Sequence, residues 1–227
     1  MNDQTPKDPR GDFAPTKRTR IKRMPKRAHY DRDTVYAILD AGVVAHVGYN
    51  IDGEPYVTPT AYWRKGDHVY WHGSSASRML RTLESGGVRV CLTVSLLDGF
   101  VLARSAFHHS VNYRAVMTFG TAFMITDKAA KLAAMEDFVE RIYPGRWAML
   151  RPVTEQEIKA TTVLGMDLSE AVAKVRVGGP VDDEEDYALP IWAGVLPVTT
   201  TIHPPIDDPR NLPEVARPAH LAQVKVG

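Results

Sequence analysis

The sequence predicts a mainly β protein: an antiparallel barrel, closed or split, with a few helices set between its strands. Three observations lead there. Short runs rich in β-branched and aromatic residues recur at 43–49, 56–63 and 68–72. Tight-turn signals, Asp52-Gly53 and Lys65-Gly66-Asp67, separate those runs at hairpin spacing. Many short antiparallel strands would also leave exposed edges unless the sheet closes on itself.

The elements follow in chain order. Residues 1–26 are polar, basic and proline-containing, which predicts a flexible arm that orders only against a partner subunit. Its basic run (Lys17, Arg18, Arg20, Lys22, Arg23, Lys26, Arg27) reads either as a solvated tail or as a contact to nucleic acid or phosphate. A helix is expected over 31–41, capped by Asp31 or Asp33, with Val35, Ile38 and Leu39 on one face and Gly42 as its stop. The three-strand meander comes next. Helical period returns over 74–84, where Met79, Leu80 and Leu83 share a side. The apolar run 88–96 predicts a strand buried on both faces. Asp98-Gly99 then predicts a hairpin, with 100–106 pairing back and a further strand over 115–125. Residues 128–141 have the pattern of an amphipathic helix, with Leu132, Met135, Phe138, Val139 and Ile142 on its apolar face. Thr154-Glu155-Gln156-Glu157 is a capping box opening a short helix, and 163–168 and 171–177 read as late strands. Prolines and acids multiply from Gly178, leaving 191–198 as the last candidate strand. The chain thus divides into a basic arm (1–26), a barrel domain (27–198) and a proline-rich irregular tail (199–227).

Composition sets the class. At 227 residues, 44% hydrophobic and 24% charged, the chain can bury a sizeable core without staples. A net charge of +1 argues against nucleic acid as the partner of the whole protein, although the acidic run Asp182, Asp183, Glu184, Glu185, Asp186 opposes the basic arm. One cysteine, Cys91, excludes an intramolecular disulfide; lying in an apolar strand, it reads as core and not as a nucleophile. No apolar run approaches the ~20 residues of a membrane span. The basic N-terminus lacks the apolar segment of a secretory signal, so a cytoplasmic location is expected.

Three segments carry candidate chemistry. In His72-Gly73-Ser74-Ser75-Ala76-Ser77-Arg78 a strand gives way to a helix start, whose free N–H groups suit an anion. Ser74, Ser75 and Ser77 add hydroxyls and Arg78 a bidentate charge, so the segment is either a phosphate cradle or an ordinary helix cap. His108-His109-Ser110-Val111-Asn112-Tyr113-Arg114 reads as a polar loop between strands; adjacent histidines on extended chain diverge, which disfavours one shared metal. In Pro55-Tyr56-Val57-Thr58-Pro59-Thr60-Ala61-Tyr62-Trp63 the prolines mark an edge or bulge that a flat polar ring could meet. Alternation sets Thr58, Thr60 and Tyr62 on one face and Val57, Ala61 and Trp63 on the other. No serine-hydrolase elbow is present, and two arginine-bearing polar segments without an acid–base pair point to chemistry done by a bound cofactor.

These segments, with Gly66-Asp67-His68-Val69-Tyr70-Trp71-His72-Gly73-Ser74, Leu97-Asp98-Gly99-Phe100-Val101-Leu102-Ala103-Arg104-Ser105 and Trp192-Ala193-Gly194-Val195-Leu196-Pro197, fall in one order. In that order the sequence resembles the flavin-nucleotide-binding branch of the pyridoxamine-5′-phosphate-oxidase-like proteins, which includes nitroimidazole-resistance reductases. The resemblance runs from about Arg23 to Pro197. It implies an FMN-binding split β-barrel that forms a homodimer, with the cofactor at the subunit interface. Carried over by motif, Thr58, Pro59 and Tyr62 would lie against the flavin ring, and Trp192 would cover it. Ser74, Ser77 and Arg78 would bind the phosphate with Asn112, Tyr113 and Arg114. His72 would face flavin and substrate as the catalytic residue, donating a proton to the reduced acceptor. The C-terminal region is acidic where true pyridoxamine-phosphate oxidases carry basic residues for the substrate phosphate, which argues against that activity.

The function expected is an FMN-dependent oxidoreductase that passes electrons from a reduced nicotinamide, NAD(P)H, to a small acceptor such as a nitroaromatic. Two alternatives stand beside it: a flavin carrier or sensor without turnover, and a haem-binding split barrel with His72, His108 or His109 as axial ligand. FAD or a deazaflavin could take the place of FMN.

Overall fold

The computed structural model describes residues 11–74 and 87–227. Its strands are β1 (Ala28–His29), β2 (Val44–Ile51), β3 (Glu54–Lys65), β4 (His68–Ser74), β5 (Val88–Leu102), β6 (Ser110–Met124), β7 (Thr161–Asp167), β8 (Ala171–Arg176) and β9 (Gly194–Pro197). Three α-helices lie between them among the described residues: α1 (Arg32–Ala41), α2 (Lys128–Ile142) and α3 (Glu155–Ala160). The helix expected over 74–84 lies outside the described residues from 75 onward.

The strands form one antiparallel sheet in the order β1-β8-β6-β7-β4-β3-β2-β5-β9, and β6 also pairs with β5. That extra pairing closes β5, β6, β7, β4, β3 and β2 into a ring. The ring is split at β6: its first half pairs with β8 through Tyr113–Thr118, and its last residues, Phe123 and Met124, pair with β7. One long strand thus serves two neighbours on one edge, and β1 and β8 flare outward from the seam.

Two apolar clusters hold this together. The inner one fills the ring with Val47, Tyr62, Val69, Trp71, Leu92 and Met166, and α1 plugs one end with Val35, Ile38 and Leu39. The outer one packs Ala134, Met135 and Phe138 of α2 on Trp63 and Val163 outside the barrel. Local signals explain the elements. Asp31 caps α1 by accepting the Thr34 N–H at 2.8 Å, and Asp127 caps α2 by accepting the Ala130 N–H at 2.7 Å. The capping box at Thr154 and Glu157 forms in full. Asp52 (φ 53°) and Gly53 (φ 87°) turn the β2–β3 hairpin in the left-handed conformations a type I′ turn requires.

Four expectations need correction. Asp98-Gly99 is not a hairpin turn: β5 runs through it with a register shift, and residues 100–102 continue against β6 and β9. The small residue is required by close approach, since a Cβ on Gly99 would stand 3.0 Å from the Leu196 carbonyl oxygen. The first half of β5 is buried on one face, not two: Val88, Val90, Leu92 and Val94 point inward while Arg89 and Ser95 stay exposed. Cys91 belongs to that outer face and is half-buried. The segment around Asn112 is no loop, because Ser110–Arg114 already belong to β6. Finally, the basic arm packs on its own chain from residue 11. Phe13 joins the inner core, Thr19 is fully buried, and Arg18 and Thr16 both bond Glu170 in the β7–β8 turn. One apolar side chain, Phe13, and two hydroxyl side chains, Thr16 and Thr19, anchor what charge alone made look solvated.

Candidate functional site

The outer face of β4 carries the site. Strand alternation sends Val69 and Trp71 into the barrel and His68, Tyr70 and His72 outward. There His72 stands opposite Val163 of β7, while Trp63 of β3 stands opposite Tyr70. Helix α2 covers this face, with the Phe138 ring edge-on to His72 at 4.7 Å and tilted over Trp63 at 5.2 Å. A cavity of about 230 Å³ remains between them, lined by Trp63, His72, Met135, Phe138, Trp147 and Val163 among others. Its wall is mostly apolar, and two of the residues that line it, His72 and Trp63, each have a buried ring nitrogen (Nδ1 and Nε1) without a hydrogen-bond partner. Burial pushes the pKa of the His72 imidazole below its ordinary value, which favours the neutral ring. A buried polar atom left unpaired costs roughly 1–3 kcal/mol.

The other sequence-predicted residues separate into groups. Tyr62 does not face a ligand. It is 1% exposed inside the barrel and donates its hydroxyl to the Leu39 carbonyl at 2.5 Å, with burial raising its pKa. Asn112 is committed as well: its amide accepts from Arg176 and donates to the Gly178 carbonyl at 3.1 Å. Thr58 and Pro59 are exposed on β3 opposite Val47 and His46, and Thr58 Oγ1 lies 3.1 Å from the Tyr49 hydroxyl. Arg114 makes a two-armed pair with Asp98, at 2.8 and 3.0 Å, which raises its own pKa. Tyr113 lies beside it on β6, opposite Leu97 of β5 and Arg176 of β8. The Arg114 pair borders a separate cavity of about 420 Å³ beneath residues 198–200 and 226–227. Trp192 lies just before β9 with most of its ring in solvent, packed over Gly194. Ser74 ends β4, whereas Ser77 and Arg78 lie outside the described residues. His108 and His109 are away from the cavity and already partnered, by Asp183 at 3.3 Å and by the Ser105 carbonyl at 2.9 Å.

Sequence reasoning passed over the cavity wall. Trp63 was placed on the right face without a role, and Met135, Phe138 and Val139 read as helix core. It also passed over Asp182, whose buried carboxylate accepts from the Arg104 backbone N–H at 2.9 Å and its guanidinium at 3.0 Å. Burial opposes that charge, but the Arg104 bonds outweigh it and hold the carboxyl below its usual range.

A family model described as pyridoxamine 5′-phosphate oxidase matches residues 31–175, the barrel from α1 to β8. The chain belongs to that family. Two solved structures are much more similar over the whole chain. The flavocytochrome Anf3 from Azotobacter vinelandii is 51% identical, covers 95% of this chain and 100% of its own, and superposes with a TM-score of 0.90. The FAD and haem binding protein from Mycobacterium smegmatis is 33% identical, over 88% of this chain and 98% of its own, at a TM-score of 0.83. A 5-nitroimidazole antibiotic resistance protein from Bacteroides thetaiotaomicron, 20% identical over 65% of this chain and 86% of its own at a TM-score of 0.55, shares the fold. No curated protein matches the sequence closely enough to serve as a relative. Among the described residues, no helix is long and apolar enough to cross a membrane.

Proposed function

We propose that this family member is a haem- and flavin-binding redox protein, with FAD as the flavin in place of the FMN that the sequence suggested. The observation that carries the haem half is the His72 cavity. An apolar slot with one neutral imidazole, whose buried nitrogen has no partner, has the donor chemistry of a haem ligand. Two similar structures support the choice of cofactors, since one is named a flavocytochrome and the other an FAD and haem binding protein. The nitroimidazole-resistance protein is too distant in sequence to argue for its substrate here.

In this reading His72 would hold the iron, and Trp63 would be available as a hydrogen-bond donor to the bound group. Met135, Phe138 and Val163 would keep water from it and lower the local dielectric. Thr58, Pro59, Arg114 and Trp192 remain the flavin candidates, with Thr58 and Pro59 exposed on β3, Trp192 exposed on the approach to β9 and Arg114 half-buried on β6. A flavin accepts electrons in pairs and a haem iron one at a time, so the two cofactors together would link a two-electron donor such as NAD(P)H to one-electron acceptors. The flavin site is completed by a second copy of the chain. Leu196, Phe100 and Val111 stand in register across β9, β5 and β6, all exposed, forming an apolar row suited to a homodimer contact.

The test is an absorption spectrum of the purified protein, followed by release and identification of whatever is bound. Superimposed haem and flavin bands with FAD in the released fraction are expected, and His72→Ala should lose the haem bands while keeping the flavin. A colourless protein that takes up neither hemin nor FAD would overturn the reading. Retention of haem at wild-type affinity in His72→Ala would move the iron site elsewhere.

A further inference from the structure

The basic arm has no part in the cofactor sites, yet it is built and not frayed. The Tyr30 hydroxyl donates to the Thr19 carbonyl at 2.9 Å and accepts from the Ile21 N–H at 3.3 Å, and the Arg20 N–H closes a turn on the Thr16 carbonyl at 3.0 Å. Pro25–Arg27 then form a 3₁₀ turn that leads into β1 at the edge of the sheet. The cations of the arm therefore hold fixed places. Six of them, Lys17, Arg20, Lys22, Arg23, Lys26 and Arg27, follow one another with no acid between Asp12 and Asp31. All but Arg27 are exposed, and none makes an ion pair or a side-chain hydrogen bond among the described residues. Elsewhere the chain answers arginines with carboxylates: Arg64 with Asp40, Arg151 with Glu157, Arg217 with Asp207. Even Arg18, within the same run, is clamped by Glu170.

Strand β8 extends the patch. Ala171 and Ala173 belong to the inner core, so alternation turns Lys174 and Arg176 to the outer face. Lys174 stands opposite Ala28 of β1, and Arg176 opposite Tyr113 of β6. Arg176 is 8% exposed, and its guanidinium meets only neutral acceptors, the Asn112 side chain and the Gly178 and Gly179 carbonyls. Burial first, and then the charge on Arg27, lowers its pKa. Arm and strand thus share one positive field. A buried cation without a counter-ion works against stability. Protection of a sheet edge does not account for it, because a lysine or a proline blunts an edge and β1 offers only two residues.

We propose that this basic face, the arm with the adjoining end of β8, is the docking surface for a small acidic electron-carrier protein. The proposal rests on the redox reading above. A protein that links a two-electron donor to one-electron acceptors must pass single electrons to a partner, and brief electron-transfer encounters use small, charge-matched contacts. The patch also ends beside Tyr113, which the sequence proposes for the flavin phosphate. Residues 17–27 hold no aromatic side chain on which a base could stack, and Met24 is their one exposed large apolar side chain, too little to anchor in a lipid surface.

The test is calorimetric binding of the purified holoprotein to two acidic carriers, a plant-type two-iron ferredoxin and a flavodoxin. Micromolar affinity at ~20 mM salt, falling at least about tenfold by ~300 mM, is expected. Lys22→Glu/Lys26→Glu should weaken binding at low salt by at least about tenfold and slow electron exchange with the rapidly mixed carrier, with far-ultraviolet spectrum and cofactor bands unchanged. Lys159→Glu/Lys225→Glu, the same change of charge at exposed sites on α3 and near the C-terminus, should lose less than about twofold. Equal losses in the two double variants would overturn the proposal. So would tighter binding of the wild type to anionic phospholipid vesicles or to duplex DNA, which would give the arm to a lipid surface or to nucleic acid. A wild type that holds flavin and haem but binds neither carrier would sink this inference alone. One that binds the carriers yet holds neither cofactor would overturn the redox reading, and the electron carrier as partner with it.

Discussion

Tyr62 and His72 lie on adjacent strands, yet burial gives them opposite tasks. Tyr62 sends its ring into the barrel and closes its one donor on the Leu39 carbonyl, tying β3 to the last turn of α1. Tyr62→Phe should therefore cost on the order of 1 kcal/mol in a denaturation curve, through the unpaired carbonyl, and leave cofactor content unchanged. A loss of flavin without loss of stability would restore Tyr62 to the site. His72 faces the other way and keeps a nitrogen unpaired. The side it faces was legible in the sequence, because the period of two along 68–72 divides apolar Val69 and Trp71 from His68, Tyr70 and His72. That its nitrogen lacks a partner was not legible. It depends on which residues of α2 descend on the strand, and the helix pattern gives a face but no partner. Leu132 shows the difference, for it belongs to the apolar stripe yet is 36% exposed, whereas Ala134 takes the buried place.

At the scale of elements, local signals with a short reach were read correctly and signals set by distant neighbours were not. The Asp31 cap, the Asp52-Gly53 turn and the Thr154 capping box each complete themselves within four residues. Asp98-Gly99 has the same composition as a turn but serves β9, which arrives from the far end of the chain. Gly99→Val should accordingly act on β9 and not on a hairpin. The added carbons meet the Leu196 carbonyl and Val195 Cγ1, at 3.0 and 3.2 Å from the Cβ position, and should cost roughly 1–3 kcal/mol. Proteolysis near residues 190–197 should rise with it, whereas an unaffected β9 would show that the strand can shift at little cost. The arm obeys the same logic. Glu170 is held below the usual carboxylate range first by the hydrogen bond from Arg18, with Thr16 adding a second. A depressed pKa means that the clamp stabilises above the ordinary value of about 4.5 and is lost as pH falls through the folded value. Glu170→Gln should lower the denaturation midpoint modestly at pH 7, by less than ~1 kcal/mol because Arg18 is partly solvated. The variant and wild type should converge as pH drops below that window; a constant gap across pH would assign the effect to packing.

For the molecule as a whole, the ring of strands was predictable because closure is the general remedy for many short antiparallel edges, but the surface left on its outside was not. Alternation names the residues on a face without saying whether solvent or protein covers them. Here the outer row Leu196, Phe100 and Val111 crosses three paired strands, with Phe100 at its centre and 47% exposed. An apolar row on the flat of a sheet gains by meeting its own copy, since in an isologous contact every pairing is made twice, once on each side of the two-fold axis. The flavin candidates Arg114 and Trp192 lie on the strand and the chain approach that flank this row, so pairing would also shelter a ring placed between them. Phe100→Asp sets a charge at the centre of that contact without touching either interior cluster. Sedimentation should find the wild type at about twice its 25.2 kDa chain mass and the variant at the chain mass, with an unchanged far-ultraviolet spectrum. Flavin should be lost from the variant in step with dimerisation, while haem in the His72 cavity, enclosed by one chain, should remain. A variant that stays dimeric would place the contact elsewhere on the barrel. A monomer that keeps its flavin would mean that one chain suffices to hold the ring, and the cavity beside Arg114 would then be the place to look for it.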